Sequence, residues 1–230
     1  MASLITLRRK SHHIAVKLHK TYSSPNHSNK QDPVDELIFI VLSQMTTHKA
    51  LIRVYNSLKS EYDDWQDLPV TSIPKLKRLI RNAGLADRRA AQIKSIAVKI
   101  EKEFGSVSLE SLRFWSDREV ERFLISLPGV GVKTAKCVML FSLGRKVLPV
   151  DTHVMRVARR LGLVSSDANS HLEEIVAPKD RYSFHVNMVA HGRTTCRAVR
   201  PRCVDCCLQA VCSYRKENPD TEFVPIETNL

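Results

Sequence analysis

The 230-residue chain has only 7 glycines and 6% aromatic residues, and no apolar run nears the roughly 20 residues of a membrane span. With so few glycines and rings, the hydrophobic periodicity favours helix over strand. No secretory apolar segment is present, so a reducing compartment is expected. The 6 cysteines should then be free thiols or metal ligands and not a disulfide set. Acid is missing from the first 31 residues, which carry six Lys or Arg and four His. That stretch reads either as an organellar transit peptide or as a basic helix that packs on the protein or touches phosphates. Ile14 and Leu18 stand four apart, but little extends their stripe.

A 43% hydrophobic content suffices for a packed core, and 36 Lys+Arg against 24 Asp+Glu leave a net charge of +12. The excess points to a polyanionic partner, most simply nucleic acid; charge alone does not separate DNA from RNA or an acidic membrane surface. From Pro33 onward the pattern is helical. "DELIFIVLSQM" (35–45) is a nearly all-apolar helix whose Asp35 and Glu36 suit its positive end. Residues 47–59 and 73–83 read as amphipathic helices, the second stopping at Gly84, and helix resumes over 88–104 to end near Gly105. "SDREVERFLISL" opens with Ser116 and Glu119 in capping-box spacing, followed by Val120, Phe123, Leu124 and Leu127 on one face. Further helices are expected at 152–162 and 182–191, and the polar tail after Lys216 lacks periodicity. The fold class is all-α.

"SLPGVGVKTAKCV" (126–138) interrupts this pattern. Pro128 cannot continue a helix, Gly129 and Gly131 can take positive φ, and Val130 can pin the turn into the core. A glycine turn feeding a helix start leaves backbone N–H groups suited to a phosphate oxygen. Gly-x-Gly alone would equally suit an ordinary helix–helix connection.

"LPGVGVKTA", followed by "PVDTH" at 149–153, resembles the helix-hairpin-helix and downstream aspartate of the endonuclease III-like DNA glycosylases, the helix-hairpin-helix GPD superfamily. The interval from Lys133 to Asp151 is 18 residues, as in that family, and the likeness runs from about 35 to 214. It implies a bifunctional DNA glycosylase and abasic-site lyase of base excision repair, acting on oxidised or damaged pyrimidines. Lys133 would attack C1′ of the sugar, form a Schiff base and permit β-elimination of the 3′ phosphate. A helix start and partial desolvation both favour the neutral amine this requires. Asp151 would cap its helix and also stabilise the developing sugar cation or manage protons. Relatives that only excise the base carry Ser or Tyr where Lys133 stands.

"CRAVRPRCVDCCLQAVC" contains Cys196, Cys203, Cys206 and Cys212 in C-x6-C-x2-C-x5-C spacing. Zinc is one occupant of four cysteines, although zinc sites usually use two C-x2-4-C knuckles and only one is present. The spacing matches the 4Fe–4S loop of the resembled family, and "HGRTTC" (191–196) resembles the segment leading into it. Cys207 competes with Cys206 as a ligand, and the x5 spacing to Cys212 favours Cys206; Cys137 reads as a small core residue. Arg197, Arg200 and Arg202, with no acid among them, would be aimed at phosphates by a rigid loop, or else are solvated surface charges.

A glycosylase expels its target nucleotide and fills the hole. The resemblance places two loops there. In "LSQMTTH" (42–48), Gln44 or Met45 would reach into the gap; Met45 stands where relatives place Gln, and His48 where an aspartate is common. In "GLADRR" (84–89), Leu85 would wedge between bases, or else staple the preceding helix end. The implied partner is double-stranded DNA with a flipped-out base, bound by a monomer with no membrane contact. The compartment would be the cytoplasm or nucleoid of a prokaryote, or the nucleus or an organelle of a eukaryote. Two lobes are implied, with DNA in the cleft between them: residues 35–145 with the hairpin at about 117–142, and residues 1–34 with 146–214, ahead of a tail at 215–230. "PVDTHVMRVARRLGLV" also resembles plant-type 5-methylcytosine glycosylases, so a 5-methylcytosine or mismatch enzyme with the same chemistry is the alternative. A non-catalytic hairpin DNA-binding protein with a structural metal is the third reading.

Overall fold

The structure, a computed structural model, describes residues 3–26, 28–43, 47–82, 84–164 and 171–219. Among them the elements are helical, with no strand, and no helix is long and apolar enough to cross a membrane. The chain divides into two compact units, Ser28–Arg145 and Met1–His27 with Lys146–Leu230.

The Ser28–Arg145 unit is built around helix α2 (Pro33–Ser43). Asp32 Oδ1 accepts from Val34 N at 2.9 Å and Asp35 N at 2.8 Å, which starts the helix one residue before Pro33, a residue with no N–H to lose. Every residue from Leu37 to Leu42 is buried, so α2 is apolar on all sides and must be surrounded. Helices α3 (His48–Glu61), α5 (Ala86–Phe104) and α7 (Val132–Phe141) surround it, and α4 (Ile73–Leu79) and α6 (Asp117–Ser126) complete the unit. Helix α3 turns Leu51, Val54, Tyr55 and Leu58 inward in the i, i+3, i+4, i+7 pattern. Helix α6 carries both halves of the Ser116–Glu119 capping box, and Gly105 ends α5 at φ 73°.

Glu36 is 0% exposed, and its carboxylate accepts from Asn29 Nδ2 and Lys30 N, both at 2.6 Å. Ser142 in turn donates to Lys30 O at 2.7 Å. These bonds tie residues 28–34 to this unit. Helix α4 stops at Leu79 and not at 83; Ile80 turns inward, fully buried, and Arg81-Asn82 gives the helix no apolar face to continue.

The other unit packs α1 (Leu4–Tyr22) and α8 (Thr152–Arg160) on α10 (Arg181–Thr194), with two short helices, α9 (His171–Ile175) and α11 (Ser213–Glu217). Its core joins Ile14, Ala15 and Leu18 to Val154, Val157, Leu161, Phe184 and Met188. Helix α1 is longer than its apolar residues announce because Ser11 and Ala15 complete the buried stripe. Ser11 is tolerated there by donating its hydroxyl to Ile175 O at 2.5 Å. The basic N-terminal stretch is thus an integral helix of this unit. Truncating Leu18 to Ala should cost about 3 kcal/mol of unfolding free energy, measured by denaturant titration; a change under about 0.5 kcal/mol would mean α1 is peripheral to the core.

Candidate functional site

In the first unit, α6 runs to Ser126 and Leu127 is buried as the chain turns. Val130 N donates to Leu127 O at 3.1 Å, and buried Val130 pins the turn inward. Gly129 sits at φ +68°, and a Cβ there would stand 2.5 Å from Gln92 Nε2. Gln92, on α5, uses that space to donate to Pro128 O at 3.0 Å. Glycine is therefore required at 129 by both backbone and neighbour. Gly131 differs: its φ is −97°, a conformation open to any residue, and a Cβ would meet nothing within 4 Å. It begins α7 with no side-chain cap, so no side chain of a capping residue takes the first N–H groups of α7. Lys133 stands half-buried in that first turn. Its charge reaches the buried Glu36 carboxylate and partly opposes the rise in pKa that burial causes there.

Leu85 begins α5 in the left-handed region at φ 59° and is 59% exposed. A staple against the preceding helix end would bury it, so the structure does not fit that reading. It lines an open groove with Arg88, Gln92, Ser95, Pro128 and Gly129, which puts it beside the hairpin turn. Gln44 and Met45 lie outside the described residues. His48 opens α3, exposed, behind the Thr47 cap.

In the second unit, Asp151 caps α8: its Oδ1 accepts from Val154 N at 2.8 Å. The buried His185 ring, on α10, holds Pro149 O at 2.9 Å through Nδ1, two residues upstream. Asp151 opens into a groove lined by Thr152, Met155, Arg156, Arg159 and Arg160. Those three arginines were not singled out from the sequence. Arg156 donates to Gly192 O at 2.7 Å and to Cys196 O, and Arg160 donates to Arg197 O at 2.6 Å and Ala198 O at 3.0 Å. Helix α8 thereby carries Asp151 at its start and holds the cysteine loop along its side. Gly192 allows the close approach, since a Cβ there would lie 2.8 Å from His153 Cβ.

Cys196, Cys203, Cys206 and Cys212 line one cavity together with Val157, Leu161, Pro201 and Tyr214; Cys207 is not in its wall. Among the described residues no three His, Cys, Asp or Glu converge on a single ion position. Four thiolates around one zinc ion would sit about 4 Å from one another, given Zn–S bonds near 2.3 Å. Burial chiefly pushes the Cys206 thiol up to about 12, and raises Cys212 as well, so a cationic centre is needed to take both as thiolates. Four cysteine thiols in one cavity wall are a donor set that fits a sulfur-ligated cluster. Cys137 is buried in α7.

The loop arginines differ in their surroundings. Arg200 is exposed at φ 50°, Arg197 donates from Nε to Thr194 O at 3.2 Å, and Arg202 pairs with Asp205 at 3.2 Å. Asp205 lies just past Cys203, outside the acid-free interval.

The chain matches the family profile of the HhH-GPD superfamily base excision DNA repair protein over residues 38–178. It is 32% identical to Endonuclease III of Bacillus subtilis (strain 168) over 191 residues, 81% of this chain and 82% of that one. Two proteins of Arabidopsis thaliana are also similar. One, provisionally described as a DNA glycosylase, is 34% identical over 73% of this chain. The other, DEMETER-like protein 2, is 31% identical over 66%. The chain spans 59% and 13% of the lengths of those two plant relatives. Among solved structures, a non-covalent Endonuclease III–DNA complex matches with TM-score 0.80 at 26% identity, over 95% of this chain and 99% of that one. A trapped Endonuclease III–DNA covalent intermediate matches with TM-score 0.79 at 28% identity, over 95% and 100%.

Replacing Gly129 with Ala should cost about 1–2 kcal/mol for the left-handed backbone alone. It should also weaken binding to duplex DNA, read by fluorescence anisotropy, because the turn must shift off Gln92. Unchanged affinity and stability would mean the turn is not held as described.

Proposed function

The chain belongs to the HhH-GPD superfamily of base excision DNA repair proteins, and from that membership we propose that it is a bifunctional DNA glycosylase and abasic-site lyase acting on oxidised or damaged pyrimidines. The observation that carries the reading is Lys133, half-buried in the first turn of a helix whose N-terminus no side chain caps. Departure of the base builds positive charge at C1′, where the Lys133 amine adds. The amine loses a proton as the C1′–O4′ bond breaks, which opens the ring to a protonated Schiff base; its acidified C2′ proton then passes to a base as the C3′–O bond to the 3′ phosphate breaks. Asp151 caps α8 through Oδ1 on Val154 N and borders an open groove. Its charge would stabilise the sugar cation, and its carboxylate would receive or return protons during lysine attack.

Double-stranded DNA with a flipped-out base is the substrate form. Backbone N–H groups at Gly129 and Gly131 would take a phosphate, with Val130 holding the turn through its own N–H on Leu127 O; Leu85 would enter the stack, with Gln44 or Met45 filling the gap left by the base. The left-handed strain at Leu85 supports a functional demand there, because an exposed leucine gains nothing from that conformation. Cys196, Cys203, Cys206 and Cys212 would hold a 4Fe–4S cluster, which when bound cross-links the loop and can exchange an electron. Arg197, Arg200 and Arg202 on that loop would contact phosphates, Arg202 after exchanging Asp205 for DNA. A second reading, excision of 5-methylcytosine, keeps every one of these roles and changes only the base; it rests on the 149–164 segment and on Met45.

Single-turnover assays on a duplex with one oxidised pyrimidine test the assignment. Lys133→Ala should lose strand cleavage by at least about a thousandfold and Asp151→Asn by about a hundredfold, with duplex affinity kept in both. Cleavage by the Lys133 variant at the wild-type rate would contradict the nucleophile. Rapid release of 5-methylcytosine with no release of the oxidised base would move the enzyme to the second reading.

A further inference from the structure

The wall of the four-cysteine cavity includes one imidazole, that of His191. It is 1% exposed on α10, and its Nε2 lies 3.7 Å from Cys206 Sγ. The other ring nitrogen, Nδ1, is 2.9 Å from the Tyr22 hydroxyl, which is also 3.0 Å from the Thr195 hydroxyl. A phenol has one proton to give. Either hydroxyl of the Tyr22–Thr195 pair can donate; in the arrangement where Thr195 donates to the Tyr22 oxygen, Tyr22 gives its proton to Nδ1. An imidazole that accepts at Nδ1 carries its own N–H on Nε2, the atom beside Cys206. The sequence arranges this over a long span: Tyr22 ends α1, Thr195 follows α10, and Cys206 lies on the loop beyond.

We propose that His191 is a sulfur-directed hydrogen-bond donor to Cys206, and that Tyr22 is the positioning residue that fixes its donating tautomer. The proposal rests on the reading of the cavity as a 4Fe–4S site. Two further donors reach the same thiols: Leu208 N lies 3.4 Å from Cys206 Sγ and Arg160 Nη1 lies 3.4 Å from Cys196 Sγ. Each N–H directed at a cysteine sulfur favours the form of the centre with more negative charge, which raises the reduction potential. A buried histidine that merely linked α10 to α1 would have no such effect. The potential therefore separates a donor from a structural link.

The test uses the purified holoprotein and three variants: His191→Leu, His191→Gln and Tyr22→Phe. Iron, zinc and acid-labile sulfide are assayed first, and the midpoint potential is then read by film voltammetry, with the electrode supplying the electron. The wild type should hold about four irons and about four sulfides per chain. His191→Leu should shift the midpoint to more negative potential. His191→Gln, whose amide N–H can replace the donor, should stay near the wild type. Tyr22→Phe keeps the imidazole and frees its tautomer, so it should shift in the same direction by less; it decides the matter if His191→Leu cannot retain iron. Unshifted potentials in cluster-bearing His191→Leu and Tyr22→Phe overturn the donor role and leave the cluster reading standing. A wild type with zinc, or without iron and sulfide, overturns both.

Discussion

Helix α8 is the member on which the chemistry of its unit depends. Its first residue is capped by Asp151, whose backbone approach is fixed from Pro149 by buried His185. Along its side, Arg156 and Arg160 donate to the carbonyls of Gly192, Cys196, Arg197 and Ala198. Each guanidinium offers several donors in a rigid plane, so two side chains hold a loop with little regular structure of its own. One short helix thus sets both the acid and the backbone from which the cysteines project. Displacement of that loop would be felt at the helix that presents the carboxylate.

The hairpin unit solves a different problem, which is to present a cation beside an open helix start. A helix interior would bury the N–H groups in its own ladder, and an Asn or Ser cap would satisfy them. Gly131 does neither, and Pro128 with Gly129 turns the chain sharply enough to bring the start of α7 to the surface. Gln92 holds the turn from α5, the helix that Leu85 immediately precedes. The turn and the exposed leucine therefore rest on one element, and a shift of α5 would move both.

Local rules made much of this legible. The Ser116 capping box, the all-apolar α2 and the stop at Gly105 each follow from residues within a few positions of one another. The all-α class followed from them. Helix α1 was only half visible because its stripe runs through Ser11 and Ala15, and only Ile175 O explains how a serine is buried there. The role of Gln92 was hidden for the same reason: its partner, Pro128 O, is 36 residues away. Arg156 and Arg160 carry no local signal of their role, since their acceptors are carbonyls 36 to 40 residues on. Spacing gave four cysteines a common purpose and favoured Cys206 over Cys207, and Cys206, not Cys207, stands in the cavity wall. The expectation that both hairpin glycines adopt positive φ failed at Gly131, where openness and not backbone strain is what glycine supplies.

The central claim is that Lys133 bonds covalently to the sugar. Borohydride reduction of the wild-type protein on a duplex with one oxidised pyrimidine, followed by peptide mapping of the adduct, tests it directly. The account predicts a trapped protein–DNA species whose modified residue is Lys133, absent from Lys133→Ala. An adduct on another lysine, or base release with no trappable species, would contradict it.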